Sequence, residues 1–212
     1  MKDLVVLVAD KNMKFGIDAI LSRHNSLNIR SILYDSFIHP LRDPGVYDKA
    51  GDFLRQFLRE YSYAIVFLDY EGSGQEGKLP DEIANKIRAG LEKNGWQDRA
   101  EVFVFNPELE IWIWTESLYT ANALGWNSYP ELKSWLSDKQ VLWQQNSFKP
   151  ERPKFAMEIA LKEKRIPRSS SIYREIAQKV NLDRCKDDSF VNLKDVLRQW
   201  FPNEKDKAHP FL

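Results

Sequence analysis

The chain has 212 residues, and its 31 Lys and Arg balance its 31 Asp and Glu, so the formal net charge is zero. That length suits one domain with an appendage, and 43% hydrophobic and 29% charged residues are typical of a soluble globular protein. A single cysteine, Cys185, excludes an intrachain disulfide and a cysteine-based zinc site. No apolar run reaches the length of a membrane span, and the chain enters a core strand directly after Met1-Lys-Asp instead of a signal sequence, which predicts a cytoplasmic protein.

Charge is spread unevenly along the chain. Residues 149–186 hold 11 Lys and Arg against 5 Asp and Glu, whereas residues 1–148 hold 16 against 21. An acidic body with a basic segment is typical of a metal-dependent enzyme that acts on a polyanion. A solvated helical face accounts for the same charges, so the charge pattern alone does not decide between the two interpretations.

Alternating strand and helix patterns predict the fold class. Strands are expected at 4–9, 29–38, 64–68 and 100–105, and helices at 13–22, 46–61, 80–95 and 108–114. From residue 115 onward only helices are expected, at 117–124, 130–136, 154–164, 171–179 and 193–201. Strands that alternate with helices need crossover connections, which implies an α/β fold with a mostly parallel sheet. We therefore expect an α/β domain over 1–148 and a helical extension over 149–212 packed on it.

Acidic residues follow three of the four predicted strands. Asp10 follows the first, Asp69 and Glu71 follow the third, and Glu108 and Glu110 follow the fourth. Because the carboxyl ends of parallel strands lie at one edge of the sheet, these acids are expected to meet. In an extended chain Asp69 and Glu71 lie roughly 6–7 Å apart on one face, which suits a shared divalent cation. The alternative is a solvated acidic turn after a strand.

The two acids after the fourth strand are expected to differ. On a helix, Glu108 and Glu110 point about 200° apart, so only one of them can face the acidic cluster. Glu110 begins the apolar run Ile-Trp-Ile-Trp and is the acid expected to point inward. An inward acid beside tryptophans needs a partner or a metal. For Glu108, a simple preference for a helix N-terminus is the alternative.

These patterns resemble a known family. The order of apolar strand and acid, followed by a strand and Asp69-Tyr-Glu71, resembles the Toprim catalytic domain of topoisomerases, primases and OLD-type nucleases. The segment Asn106-Pro-Glu-Leu-Glu110-Ile-Trp112 resembles the Asn-Pro-x-x-Glu-x-Trp motif of RloB-like proteins, which are Toprim-related proteins of bacterial and phage-defence loci. The resemblance covers residues 1 to about 115 and extends to Cys185-x-Asp187-Asp188-x-Phe190.

The resemblance implies roles for four acids. Asp10 would take the place of the Toprim glutamate, a general acid or base, although Asp10-Lys11 stands where the family has Glu-Gly. Asp69 and Glu71 would take the place of the Asp-x-Asp pair that binds Mg²⁺ or Mn²⁺, and Glu110 would be the extra acid of the RloB-like subgroup. All four are thus expected as catalytic and metal-binding residues.

The resemblance also implies an activity, namely metal-dependent cleavage of nucleic-acid phosphodiester bonds in phage defence. Nucleic acid and other defence-system proteins are the expected partners, and no membrane is. Two alternatives remain open. One is a non-catalytic Toprim-fold component of a multi-protein defence complex, and the other is a small-molecule phosphohydrolase.

Five basic or imidazole side chains are candidates for binding substrate phosphates. Two lie in the proline-bounded loop after the second strand, where they could clamp a phosphate or move a proton; an internal Arg–Asp pair is the alternative there. Two belong to the basic segment ahead of the serine-rich helix start near residue 171, which could hold a backbone phosphate; a capped helix with solvated charges is the alternative. The five are Lys11, His39, Arg42, Arg165 and Arg168.

Overall fold

The computed structural model describes residues 1–145 and 147–203. Its centre is a parallel sheet of four strands: β1 (Lys2–Val8), β2 (Tyr34–Ile38), β3 (Tyr61–Asp69) and β4 (Ala100–Phe105). The order across the sheet is β2-β1-β3-β4, and every neighbouring pair is parallel. The predicted α/β class, with a parallel sheet of four strands and a helical C-terminal extension, is confirmed.

Two central strands carry the core. The apolar runs Leu4–Val8 and 64–68 are fully buried in β1 and β3. Strands covered on both faces read as continuous apolar runs instead of alternating ones, which is why both were recognisable in the sequence. The two strands pair directly, with Leu7 opposite Val66.

Ten α-helices surround the sheet in the part of the chain that the structure describes. Those before β4 are α1 (Lys11–Leu21), α2 (His24–Leu27), α3 (Arg42–Leu54) and α4 (Pro80–Leu91). Those after β4 are α5 (Glu110–Ile113), α6 (Leu118–Ala123), α7 (Tyr129–Asp138), α8 (Pro153–Glu163), α9 (Ser170–Lys179) and α10 (Asp188–Trp200). Within 1–145 and 147–203, none of these helices combines the length and apolarity that crossing a bilayer requires.

The second strand starts later than the sequence indicates, at Tyr34 and not at residue 29. The N–H of Arg30 donates to the carbonyl of Phe201, at 3.1 Å, and not to β1. Ile29 forms only an isolated bridge with Pro202. This segment is therefore held by the end of α10, a contact that no local pattern encodes.

Two helices start four or more residues earlier than predicted. α3 begins at Arg42, inside the predicted loop at 39–45. Pro44 is compatible with that start because the first turn of a helix has N–H groups without an intrahelical partner. α10 begins at Asp188 and not at residue 193, since the carboxylate of Asp187 accepts the N–H of Ser189 and caps it.

The helical extension packs on the α/β body at several places. The Arg23 guanidinium, just after α1, donates to the carbonyls of Ala177 and Val180 in and after α9, at 2.7 and 2.8 Å. At the far end of α10, the Trp200 ring stacks on Tyr63 of β3 with ring centres 4.4 Å apart. The two parts of the chain thus share one packed interior.

Candidate functional site

The strand order places a crevice between β1 and β3. From β1 the chain crosses to β2 on one side, and it then returns to β3 on the other side. In open α/β sheets, ligands bind at such a switch point, outside the carboxyl ends of the strands. Asp10 follows β1 and Asp69 ends β3; the pairing of Leu7 with Val66, continued along both strands, sets Asp10 opposite Asp69.

Asp69 is the centre of an acidic cluster. Its Oδ1 accepts the N–H of Leu109 at 2.8 Å. Its own N–H donates to Oδ1 of Asp43, also at 2.8 Å. Burial, followed by the negative charges of Asp43, Glu110 and Asp10, raises the pKa of Asp69 well above its ordinary value, against the bond from Leu109. Four carboxylates therefore act on one another at this edge of the sheet.

Asp43 is a member of the cluster that the sequence indicated only as a possible partner of Arg42 in the loop beside the site. Burial raises the pKa of Asp43, and the charge of Asp10 adds to the effect, while the bond from Asp69 and the charge of Lys154 oppose it. The alternative pairing of Asp43 with Arg42 is not formed in the described residues, and Arg42 is exposed. The signal that could have found Asp43 is an acid in the first turn of a helix that follows β2, at the same edge as the other strand ends.

Asp10 belongs to the acidic cluster and also caps a helix. Its Oδ1 accepts the N–H of Met13 at 2.8 Å and caps the start of α1. That bond fixes the carboxylate at the end of β1, and its charge reaches both Asp43 and Asp69.

Glu110 points inward and has a cation, as the sequence predicted. Its side chain is only 2% exposed and lies 2.6 Å from Nη2 of Arg168. The hydroxyl of Tyr173 donates to the same carboxylate oxygen. Burial raises the pKa of Glu110, and the contacts with Tyr173 and Arg168 oppose that rise. Both partners belong to the helical extension: Tyr173 lies on α9, and Arg168 lies in the segment just before it.

Glu108 is buried too, so the expectation that only one of the two acids faces inward is wrong. Its side chain is 7% exposed and pairs with Nζ of Lys154 on α8. The helix α5 begins only at Glu110. Glu108 therefore precedes the helix, and the helical angle between the two residues does not apply. Burial lowers the pKa of Lys154. The hydrogen bond to Glu108 and the negative charge of Glu108 outweigh this effect, so the pKa of Lys154 is raised.

Glu71 lies apart from the cluster. β3 ends at Asp69, so the two acids do not share one face of an extended strand. Glu71 is exposed, and its N–H donates to the carbonyl of Pro107 at 2.9 Å as the chain turns away. The charges that act on Asp69 come from Asp43, Glu110 and Asp10.

The donor chemistry of the cluster suits a hard cation, because carboxylate oxygens are the ligands that Mg²⁺ and Mn²⁺ prefer. The arrangement is not that of a ready-made metal centre. Among the described residues, no group of three or more His, Cys, Asp or Glu side chains stands where it could hold a metal ion. A cation would have to draw Asp10, Asp43 and Asp69 closer together than they are in this structure.

Two predicted substrate-binding residues have internal partners. Besides Glu110, Arg168 pairs with Glu158 at 2.9 Å, and its Nε donates to the hydroxyl of Tyr173 at 2.8 Å. His39 is 4% exposed, and its Nδ1 accepts the N–H of Leu41 at 3.2 Å. Burial, with help from the charge of Lys49, lowers the pKa of His39. The ring is thus a neutral part of the loop, enclosed by protein.

The other three predicted substrate-binding residues, Lys11, Arg42 and Arg165, are exposed. Lys11 begins α1 beside Asp10, with Nζ 5.5 Å from the centre of the Phe15 ring. Arg165 follows α8 in a left-handed backbone conformation, with φ of 57°, and makes no ion pair with any residue in 1–145 or 147–203. Lys11 and Arg42 are neighbours in the chain of two acids of the cluster, Asp10 and Asp43 respectively.

The two motif segments of the resemblance touch each other. The indole N–H of Trp112 donates to Oγ of Ser189 at 2.8 Å and to Oδ1 of Asp187 at 3.2 Å. The Trp112 ring also packs edge-on against Phe190, with ring centres 4.9 Å apart. Trp112 thus joins the segment behind the acidic cluster to the start of α10.

A scan against protein-family models, a search of curated proteins and a search of solved structures each returned no match for this chain. What the chain does is therefore inferred from the chemistry of its own site.

Proposed function

We propose that this chain is a Toprim-like, Mg²⁺- or Mn²⁺-dependent phosphodiesterase of the RloB-like type, acting on nucleic acid in phage defence. The observation that supports it is the interaction of Asp10, Asp43, Asp69 and Glu110 at the switch point of a parallel sheet. This is the position at which α/β folds carry out their chemistry.

The charge balance of the site favours a bound cation. Five acids lie there, and two of them, Glu108 and Glu110, have a Lys or Arg partner. Asp10, Asp43 and Asp69 have no ion pair among the residues that the structure describes. Carboxylates crowded in this way take up a proton or a metal. A divalent cation bound by these three would polarise a phosphoryl oxygen and activate water.

The basic side chains around the cluster favour an anionic substrate. The exposed Lys11 follows Asp10 in the chain, and the charge of Lys154, which pairs with Glu108, also acts on Asp43. Positive groups at the rim of an acidic site attract phosphates and orient them against the carboxylates. This arrangement supports a phosphodiester substrate.

The second candidate is a non-catalytic component of a multi-protein defence complex. It is favoured by one observation, namely that the described acids form no ready-made group of three metal ligands. Glu71, which would take the second place of the Asp-x-Asp pair, is exposed and turned away. A non-catalytic protein that keeps the acids of the fold would be expected to have these two features.

The test combines metal binding with cleavage. Mn²⁺ is titrated by calorimetry into the parent chain, into Asp69→Asn and into the matched control Glu71→Gln, and each protein is incubated with a mixed DNA and RNA pool. We expect the parent and Glu71→Gln to bind Mn²⁺ and to cleave. Asp69→Asn should lose both, with cleavage lower by orders of magnitude, since a metal supplies several kcal/mol and each 1.36 kcal/mol is about tenfold.

Two results would decide against the enzyme. No Mn²⁺ binding by the parent at millimolar concentration would remove the metal from the proposal. A parent that cleaves nothing under any divalent cation would favour the complex component. Loss of Mn²⁺ binding in Glu71→Gln, with Asp69→Asn unaffected, would instead place the metal site at the exposed turn that contains Glu71.

A further inference from the structure

β4 lies at one end of the sheet and leaves its outer edge unpaired. Among the described residues it pairs with β3 alone. The carbonyls of Arg99 and Phe105 face β3, because they accept the N–H groups of Ala64 and Tyr70. Backbone groups alternate along a strand, so those of Val102 and Val104 face outward. An unpaired edge of this kind is a template for another strand.

A groove runs along this edge between α4 and α10. Its volume is about 770 Å³, and Val102, Val104 and Asn106 form its floor. β4 has six residues, and a strand of that length spans about 20 Å. The groove therefore has the size and shape for a short extended peptide.

The walls of the groove are acidic. Asp81 from α4 and Asp188 and Asp195 from α10 line it and are exposed. Within the described residues, the ion pair of Asp195 is a loose contact with Arg198, at 3.8 Å. An occupant that carries Lys or Arg would complement these walls, whereas a second copy of the same edge would bring like charges together. Residues 204–212, outside the described part of the chain, hold two Lys and two acids and do not match by charge.

A side-chain latch covers the first half of the edge. Oε1 of Glu101 accepts the outward N–H of Val102 at 2.9 Å, and the guanidinium of Arg88 holds that carboxylate. A charged side chain folded over an edge strand is a common guard against unwanted pairing. The guard leaves the second half of the edge, around Val104, open to a partner.

We propose that this groove binds an extended, basic segment of a partner protein, which adds a fifth strand to the sheet beside β4. Main-chain hydrogen bonds to the outward groups of Val104, which the latch leaves open, supply affinity, as in other strand-addition complexes. Side chains alternate along the added strand, so Lys or Arg residues at every second position all face one acidic wall. The surface is separate from the acidic cluster at Asp69.

The test uses a fluorescein-labelled peptide of alternating Lys and Val as the probe and follows its anisotropy with the full chain. Two matched peptides are the controls: one carries Glu in place of Lys, and the other has N-methylated backbone nitrogens that cannot donate. We expect binding of the Lys peptide alone, weakening as salt is raised because the contacts of its Lys side chains with the walls are exposed.

Two protein variants locate the site. The double change Asp81→Asn and Asp195→Asn should weaken binding by about tenfold at low salt, because it removes one charge from each wall of the groove. The control double change Glu92→Gln and Asp138→Asn removes the same charge from exposed positions outside the groove and should leave binding unchanged. Val104→Pro removes one outward N–H without touching the ladder to β3 and should abolish binding.

Several outcomes would overturn the proposal. They are equal binding of the Lys and Glu peptides, equal binding of the N-methylated peptide, no binding at any salt, or equal loss in both charge variants. Circular dichroism checks that Val104→Pro folds, and if it does not, the N-methylated peptide still tests the strand addition. Sedimentation that shows the parent pairing through this groove would assign it to a second copy instead.

Discussion

A negative charge on Asp69 is in an unfavourable place. Burial and three neighbouring carboxylates raise its pKa, and the N–H of Leu109 is the opposing contact. The bond to Leu109 needs only an oxygen acceptor, which a neutral side chain also provides. A substitution at this residue can therefore keep the hydrogen bond from Leu109 and remove the negative charge.

This separation predicts how Asp69→Asn changes stability with pH. The folded pKa of Asp69 is above its unfolded value, so the folded state binds the proton more tightly. The parent is therefore penalised as pH rises through the folded pKa, and below the unfolded pKa of about 3.9 there is no penalty. We expect the variant to exceed the parent by about 1 kcal/mol at pH 7, with a smaller difference near pH 4.

Urea denaturation of both proteins at the two pH values measures this difference. Glu71→Gln serves as the control, because Glu71 is exposed and apart from the cluster. A variant at position 69 that is less stable than the parent at pH 7 would contradict the prediction. It would mean that the charge itself strengthens the bond from Leu109 by more than its burial costs.

The residues of the site were predictable to different degrees. Glu110 could be assigned an inward direction and a need for a partner, because it begins an apolar run. Its partner Arg168 was named for another role, since nothing local links residues so far apart. Asp43 was expected only as a partner of Arg42 because its position depends on where α3 begins, and Glu71 was misplaced because its position depends on where β3 ends.

At the scale of elements, local patterns predicted what local forces decide. β1 and β3 were found from their apolar runs, and most helices were placed within a few residues. The start of β2 was wrong because the N–H of Arg30 bonds to Phe201, at the other end of the chain. The sheet order and the pairing of α5 with α10 likewise depend on distant contacts.

The junction between α5 and α10 predicts a second stability effect. Trp112→Phe keeps an aromatic ring against Phe190 but removes the N–H that bonds to Ser189 and Asp187. Because the acceptors are partly buried, we expect a loss of about 1–2 kcal/mol. Trp143→Phe, which removes one exposed bond to Ser137, is the control and should cost less than about 0.5 kcal/mol. Chemical denaturation gives both values, and equal losses would contradict the role of Trp112.

At the scale of the whole molecule, opposite charges join the body to the extension. Lys149 pairs with Asp187, Lys154 with Glu108, and Arg168 with Glu110. The last two pairs bring basic residues of the extension to acids of the α/β body. Some basic residues of segment 149–186 therefore form ion pairs with acids of the α/β body. The other basic residues of that segment are the ones that can contact a polyanion.

This arrangement predicts that residues 1–148 do not fold stably alone. The fragment lacks Lys154, Arg168 and Tyr173, and with them the helices α8 and α9 that cover Glu108 and Glu110. It would lose these pairs and expose the apolar surface that α8 and α9 bury, which is a large part of a domain's stability. Thermal melting by circular dichroism should show no cooperative transition for the fragment and one for the full chain. A fragment that melts cooperatively near the temperature of the full chain would contradict this.

The distance in sequence between Glu110 and its partners has a consequence for synthesis. Arg168 and Tyr173 lie 58 and 63 residues further along the chain. At about 5–20 residues per second, a ribosome makes Glu110 roughly 3 to 12 seconds before it makes Arg168. The strands and their acids leave the ribosome first, and the nascent chain carries them without their counter-charges. The site takes its final form only when the last third of the chain has emerged.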